Sequence, residues 1–257
     1  MADALVAADR AKWTLPILLL TWVAGTVDAI GYLGLGHVFT ANMTGNAVLL
    51  GLSLGQGQAL AAFRSVFALV GFIFGLAVGA ILAHRRGTDL DQRRAFLGPM
   101  YVETAALGVF ALLLHLPFIA RTPTTIYILI GISAIAMGIQ SAAVRRLNLP
   151  GIATTVLTGT ITSLVAGMVR WLQFTYISSP GEEPSGSVAV RGRHLLLQAS
   201  VFLVYVAAAA GAGVFQRHIP IIVGISPVVA IGLVLYLAKT SSPRTDAQST
   251  GPRKTQS

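Results

Sequence analysis

Six stretches of this 257-residue chain run for about twenty residues each with almost no charge: 13–35, 63–83, 96–116, 124–144, 195–215 and 219–238. A helix rising 1.5 Å per residue crosses the roughly 30 Å hydrocarbon core of a bilayer in about that length. Hydrophobic residues make up 54% of the chain and charged residues 11%, with a mean hydropathy of +0.75. These values lie outside the range of soluble globular domains. An all-α, polytopic membrane protein is expected. The first stretch is too long for the apolar region of a signal peptide, carries Asp28, and has no small-residue cleavage site after it, so it is expected to stay in the mature protein.

Two short polar stretches interrupt this pattern and look like copies of one another. Thr40-Ala41-Asn42-Met43-Thr44-Gly45-Asn46 is matched 114 positions later by Thr154-Thr155-Val156-Leu157-Thr158-Gly159-Thr160. Each follows a long apolar stretch and leads into a dozen more apolar residues. Polar, broken backbone at membrane depth persists only where protein or a water-filled cavity satisfies it. Gly79-Ala80-Ile81-Leu82-Ala83-His84-Arg85-Arg86 also reads like Gly211-Ala212-Gly213-Val214-Phe215-Gln216-Arg217-His218, at an offset of 132. The second offset is larger because a longer polar loop, 173–194, lies in the second half.

The segments 38–55 and 152–170 either cross the membrane, giving seven or eight full spans, or dip in and return, giving six spans and two re-entrant half-helix segments. The basic residues arbitrate. With six spans, 15 of the 18 Lys and Arg fall on one side and only Arg64, Arg121 and Arg217 on the other. With eight spans the division is 11 against 7. Lys and Arg concentrate in cytoplasmic loops, so the six-span arrangement is preferred, with both termini cytoplasmic. Its parts are a cytoplasmic segment 1–12, a single transmembrane domain 13–238 and a disordered cytoplasmic tail 239–257. Each repeat, 13–116 and 124–238, then holds three spans. An odd number inverts the second copy relative to the first. Inverted repeats with discontinuous helices are the architecture of many transporters, with the solute near the midplane.

The run Asp28-Ala29-Ile30-Gly31-Tyr32-Leu33-Gly34-Leu35-Gly36-His37-Val38-Phe39, continuing through Thr40 to Asn46, resembles the signature of the YoaK-like family of small bacterial integral membrane proteins. Gly138-Ile139-Gln140-Ser141-Ala142 and Leu157-Thr158-Gly159-Thr160 are similar to that family's second half. The resemblance implies a protein of the bacterial inner membrane and supplies no activity, so the chemistry has to come from the residues.

Asp28 and Glu103 are the two acidic residues, of nine, that fall within apolar stretches. Carboxyls at that depth are costly and mark solute pathways or proton relays. Both are candidates for proton coupling, and Asp28 also for solute binding; the structural alternative is that Asp28 only hydrogen-bonds the neighbouring re-entrant loop and holds its backbone, and that Glu103, seven residues past Phe96, approaches the cytoplasmic surface. Asn42, Thr44, Asn46, Gln140, Thr155, Thr158 and Thr160 are the polar residues expected to line a pathway. If both re-entrant arms enter extended and return helical, their N-termini face one another and present free N–H groups to an anion or a neutral hydrogen-bonding solute. The alternative is that these side chains only satisfy each other and the backbone.

Gly71, Gly75 and Gly79 recur every four residues, and Gly211 occupies the matching helix. Small residues at that spacing let membrane helices approach closely, inside the protein or in a homodimer. Gly45 and Gly159 are expected at close backbone approaches within the two polar copies. The chain has no cysteine, and His37, His84, His115, His194 and His218 are scattered, so neither a metal nor a cofactor is expected. The net charge of +9 is spread over loops and tails, the pattern of topology rather than of nucleic-acid binding. With no paired carboxylates at fixed spacing and no nucleophile motif, an enzyme is not expected. The expected function is a small-solute transporter or channel whose partners are membrane lipids and the solute; the alternative is a non-transporting membrane binding or accessory protein.

Overall fold

The computed structural model describes residues 2–83, 89–116, 122–147, 154, 155, 157–176 and 188–240. Among them every element is a helix: α1 Ala2–Gly34, α2 Met43–Gly55, α3 Ala59–Leu82, α4 Asp89–His115, α5 Pro123–Arg146, α6 Leu157–Tyr176, α7 Val188–His218 and α8 Pro220–Thr240. Six of these hold segments long and apolar enough to cross a membrane: Lys12–Gly34, Ala59–Leu82, Ala95–His115, Pro123–Arg146, His194–His218 and Pro220–Thr240. They follow the six expected stretches. The expected N-terminal segment 1–12 is helical from Ala2 and continuous with α1. The tail from 241 onward lies outside the described residues.

The duplication extends to the packing. α1 packs on α7 and α8, and α5 packs on α3 and α4; α2 packs on α3, and α6 on α7. Exchanging each helix of α1–α4 for its counterpart in α5–α8 therefore leaves the set of neighbours unchanged. Burial follows the same rule. The spanning windows of α1 and α5 are 61% and 67% buried, those of α3 and α7 both 22%, and those of α4 and α8 33% and 39%. The two repeats interlock: the central helix of each is covered by the outer helices of the other. The exposed faces of α3 and α7 carry Phe63, Val70, Phe74, Leu203 and Val206, the side chains that lipid would cover.

Close backbone approach makes this interlock. A Cβ on Gly75 of α3 would run into the carbonyl of Ile135 on α5, and one on Gly138 of α5 into the carbonyl of Phe72 on α3. On the other side, a Cβ on Gly25 would lie 2.7 Å from the Tyr205 carbonyl oxygen of α7. Apolar solvent gives membrane helices no hydrophobic reason to associate, so such dry, close contacts carry the packing.

Contacts near the helix ends fix directions. Trp13 meets Phe96 at 4.9 Å and Lys239 lies over Tyr101 at 5.2 Å, so the start of the apolar part of α1, the early part of α4 and the end of α8 share one end of the bundle. At the other, Gly34 approaches Gln216, Gly36 approaches Arg64, and Gly224 approaches His115. That end carries Arg64 and Arg217; the first carries Lys12, Arg145, Arg146 and Lys239.

Candidate functional site

α1 stops at Gly34 and the chain doubles back along it. Gly36 and His37 take positive φ angles of 90° and 63°, a left-handed turn that few side chains tolerate. Tyr32 then packs on His37 at 5.0 Å and on Phe39 at 5.4 Å. The returning strand lies so close that a Cβ on Gly31 would be 2.6 Å from the Val38 carbonyl oxygen. It ends at the level of Asp28, which is completely enclosed by its partners. Asp28 Oδ1 accepts from the backbone N–H of Thr40 and of Ala41, each at 2.6 Å. Oδ2 accepts from Asn42 N–H at 3.0 Å and from the Tyr205 hydroxyl of α7. Three backbone donors and a phenol around one carboxylate form a cradle, the arrangement that binds anions at helix N-termini.

α2 starts at the next residue. Asn42 caps it, accepting from Gly45 N–H at 3.1 Å. Asn46 is fully buried and clamps the returning strand, accepting from Phe39 N–H at 2.9 Å and donating to its carbonyl at 2.6 Å. Gly45 faces the Phe39 ring, 2.8 Å from where a Cβ would stand. Thr44 points outward and takes no part.

In the second repeat, α6 begins at Leu157, and 157 − 43 = 114, the offset of the two polar copies. Its first thirteen residues, to Val169, correspond to α2 and carry no charge; seven more follow from Arg170. A half-length helix was expected here, yet α6 has 20 residues, because the chain stays helical past the counterpart of Gly55. The cradle is built differently. Gln140 Nε2 donates to Thr154 Oγ1 at 3.0 Å and to the Leu20 carbonyl of α1 at 3.1 Å, and Ser141 pairs with Thr155 through their hydroxyls at 2.8 Å. The position equivalent to Asp28 is Ala142 (28 + 114). Thr154 and Thr155 are buried, and among the described residues no group accepts from their backbone N–H. Gln140 Oε1 is also buried, with no partner among the described residues.

The two short helices do not meet, which corrects the expected facing N-termini. Asp28 lies six residues before the end of α1, and Gln140 six before the end of α5. At 1.5 Å per residue each is about 8 Å from the centre of its span, toward opposite ends of the bundle. α2 touches α3, α6 touches α7, and α2 and α6 do not touch each other. The connection runs instead through the central helices, where Gln140 reaches Leu20.

The remaining expected residues divide. Thr160 is buried, whereas Thr158 is exposed and only its carbonyl is used, by Thr162 Oγ1 at 2.9 Å. Gly159 meets nothing within 4 Å and Gly211 only the Trp22 ring at 3.9 Å, so neither makes the close approach expected of it, while Gly71, Gly75 and Gly79 all face α5. Glu103 is fully buried on α4, and neither carboxyl oxygen has a partner among the described residues. It is not part of either cradle. No group of three or more metal-ligating side chains occurs among the described residues. A cavity of 310 Å³ opens where α1, α4 and α7 end, lined by Leu113, His115, Thr125, Ile126, Gln216 and Pro220; it does not include Asn42 or Thr158.

Sequence reasoning missed Tyr205. The signal was present: it is the one tyrosine in the 195–215 stretch, and a buried phenol needs a hydrogen-bond partner, for which Asp28 was among very few candidates.

Residues 17–238 match the family described as Protein of unknown function (DUF1275). The chain is also 43% identical over 161 residues to the UPF0700 transmembrane protein YoaK of Bacillus subtilis (strain 168), an alignment covering 63% of this chain and 68% of that one. No solved structure matches.

Proposed function

We propose that this chain, which belongs to the DUF1275 family of proteins of unknown function, is a small-solute transporter or channel of the bacterial inner membrane and not an enzyme. The observation that carries the reading is the pair of polar segments, one ahead of α2 and one ahead of α6, whose buried groups bond to the central helices α1 and α5. Helix breaks at membrane depth are costly unless they serve a pathway or are enclosed by protein, and a pair of them in inverted halves is the usual mark of a transport site. The route would run along α1 and α5 between the Asp28 cradle and the Gln140 pair, with Glu103 as the candidate for proton exchange. The end carrying Lys12, Arg145, Arg146 and Lys239 would be cytoplasmic by its basic residues, and with it both termini.

A second reading has its own support. Asp28, Asn42 and Asn46 spend their hydrogen bonds holding the protein's own loop, as they would in an accessory protein that passes nothing. Flux from proteoliposomes, screened over small anions and neutral solutes, separates the two. Transport predicts release faster than from protein-free vesicles for at least one class; equal rates for every solute would favour the accessory role.

A further inference from the structure

The two cradles differ in one respect that bears on ligand chemistry. In repeat one the N–H groups of Thr40, Ala41 and Asn42 are taken by the chain's own carboxylate, Asp28. In repeat two the equivalent position is Ala142, and the N–H groups of the buried Thr154 and Thr155 have no acceptor among the described residues. Buried backbone N–H groups without an acceptor are rare in folded proteins. Beside them, Gln140 has both of its amide hydrogens committed, to Leu20 and Thr154, while its Oε1 is buried with no partner among the described residues. Among the described residues, two donors and one acceptor are thus left over around the contact between Gln140 and Thr154.

We propose that repeat two binds a small solute through a planar O=C–X–H group, X being oxygen or nitrogen. The carbonyl oxygen takes the place that the Asp28 carboxylate occupies in repeat one, accepting from Thr154 and Thr155 N–H, and X–H donates to Gln140 Oε1. Carboxylic acids carrying their proton, bicarbonate and primary carboxamides share this group. Simple halides lack the donor and leave Gln140 Oε1 unpaired. Arg145 and Arg146 end α5 within two turns of Gln140 and are exposed, so bicarbonate, the anionic member of the class, would be drawn to this end of the bundle. The inference rests on the transport reading for the solute's passage, but not for its binding.

The test is thermal unfolding of the full chain in detergent with added acetamide, with acetate in mildly acidic buffer, with bicarbonate, and with chloride. Binding of a ligand to the folded state alone raises the midpoint. Acetamide and at least one of acetate and bicarbonate should raise it by about 2–4 °C, and chloride should not; which of the acidic and amide solutes protects best identifies X. Ala142→Asp supplies an internal carboxylate as in repeat one and should remove the response. If that chain does not fold, Gln140→Met, which drops the acceptor and keeps both N–H groups, should remove it instead. Protection by chloride equal to that by acetamide, no protection by any solute, or an unchanged response in the folded variants would overturn the proposal. The transport reading fails separately: protection with no flux of any solute removes it and leaves the cradle. Flux confined to solutes without O=C–X–H, with no protection, does the reverse.

Discussion

Replacing Asp28 by Asn keeps the volume of the side chain and one acceptor oxygen while removing half of what the cradle uses. The carboxylate serves four donors: Thr40 and Ala41 N–H on Oδ1, and Asn42 N–H and the Tyr205 hydroxyl on Oδ2. In Asp28→Asn the amide oxygen can keep the first two. The NH2 group then confronts the other two, leaving both without an acceptor. A buried donor left unpaired costs about 1–3 kcal/mol, so two cost about 2–6 kcal/mol, with hydroxyl rotation of Tyr205 favouring the lower half. For a chain of this size about 2–4 °C accompanies each kcal/mol, so a loss of about 2–4 kcal/mol lowers the unfolding midpoint by about 4–16 °C. Hydrogen exchange should report the same event locally, with faster exchange at Thr40–Asn42 than in the core of α5. Tyr205→Phe removes one donor without stranding any backbone group and should be milder than Asp28→Ala, which strands all four. An Asp28→Asn chain that unfolds within about 2 °C of the unmodified protein would refute the cradle as the element that holds the returning strand.

Three other outcomes follow from the packing and the topology. Gly75→Ala drives a methyl into the Ile135 carbonyl and should destabilise by about 3 kcal/mol or more, the upper range of overpacking; Gly159→Ala enters open space and should be neutral or stabilise by up to about 1 kcal/mol through helix propensity, both measured by thermal unfolding. Glu103→Met removes a buried carboxyl that has no partner among the described residues and should raise stability by about 1–3 kcal/mol; if Glu103 exchanges a proton during transport, the same variant loses the pH dependence of flux. Because the chain has no cysteine, single cysteines replacing Gln58 and Thr240 can be labelled in vesicles, and an impermeant reagent should reach them from opposite sides.

Much of the fold was legible because membrane helices announce themselves by length and apolarity. The six stretches became α1, α3, α4, α5, α7 and α8, and the 114-residue offset between polar copies reappears as the distance between the starts of α2 and α6. Asp28 stood out as a lone acid in an apolar run. What the sequence could not reveal is which copies become neighbours. A repeat states that α2 and α6 are equivalent, but their separation depends on the interlock in which α3 covers α5 and α7 covers α1. That interlock also decides the fate of single residues: Gly75 and Gly159 look alike in sequence, yet one faces a backbone carbonyl and the other nothing. The pairing of Gln140 with Thr154 likewise joins residues 14 apart across the end of α5, which no local pattern encodes.

The most direct measurement is stopped-flow light scattering of proteoliposomes shrunk in an inward acetamide gradient. Vesicles holding the protein should reswell faster than protein-free vesicles, and vesicles holding folded Ala142→Asp should reswell at the protein-free rate. Identical reswelling of all three, across acetamide, acetate and bicarbonate, would contradict passage of such solutes through this chain.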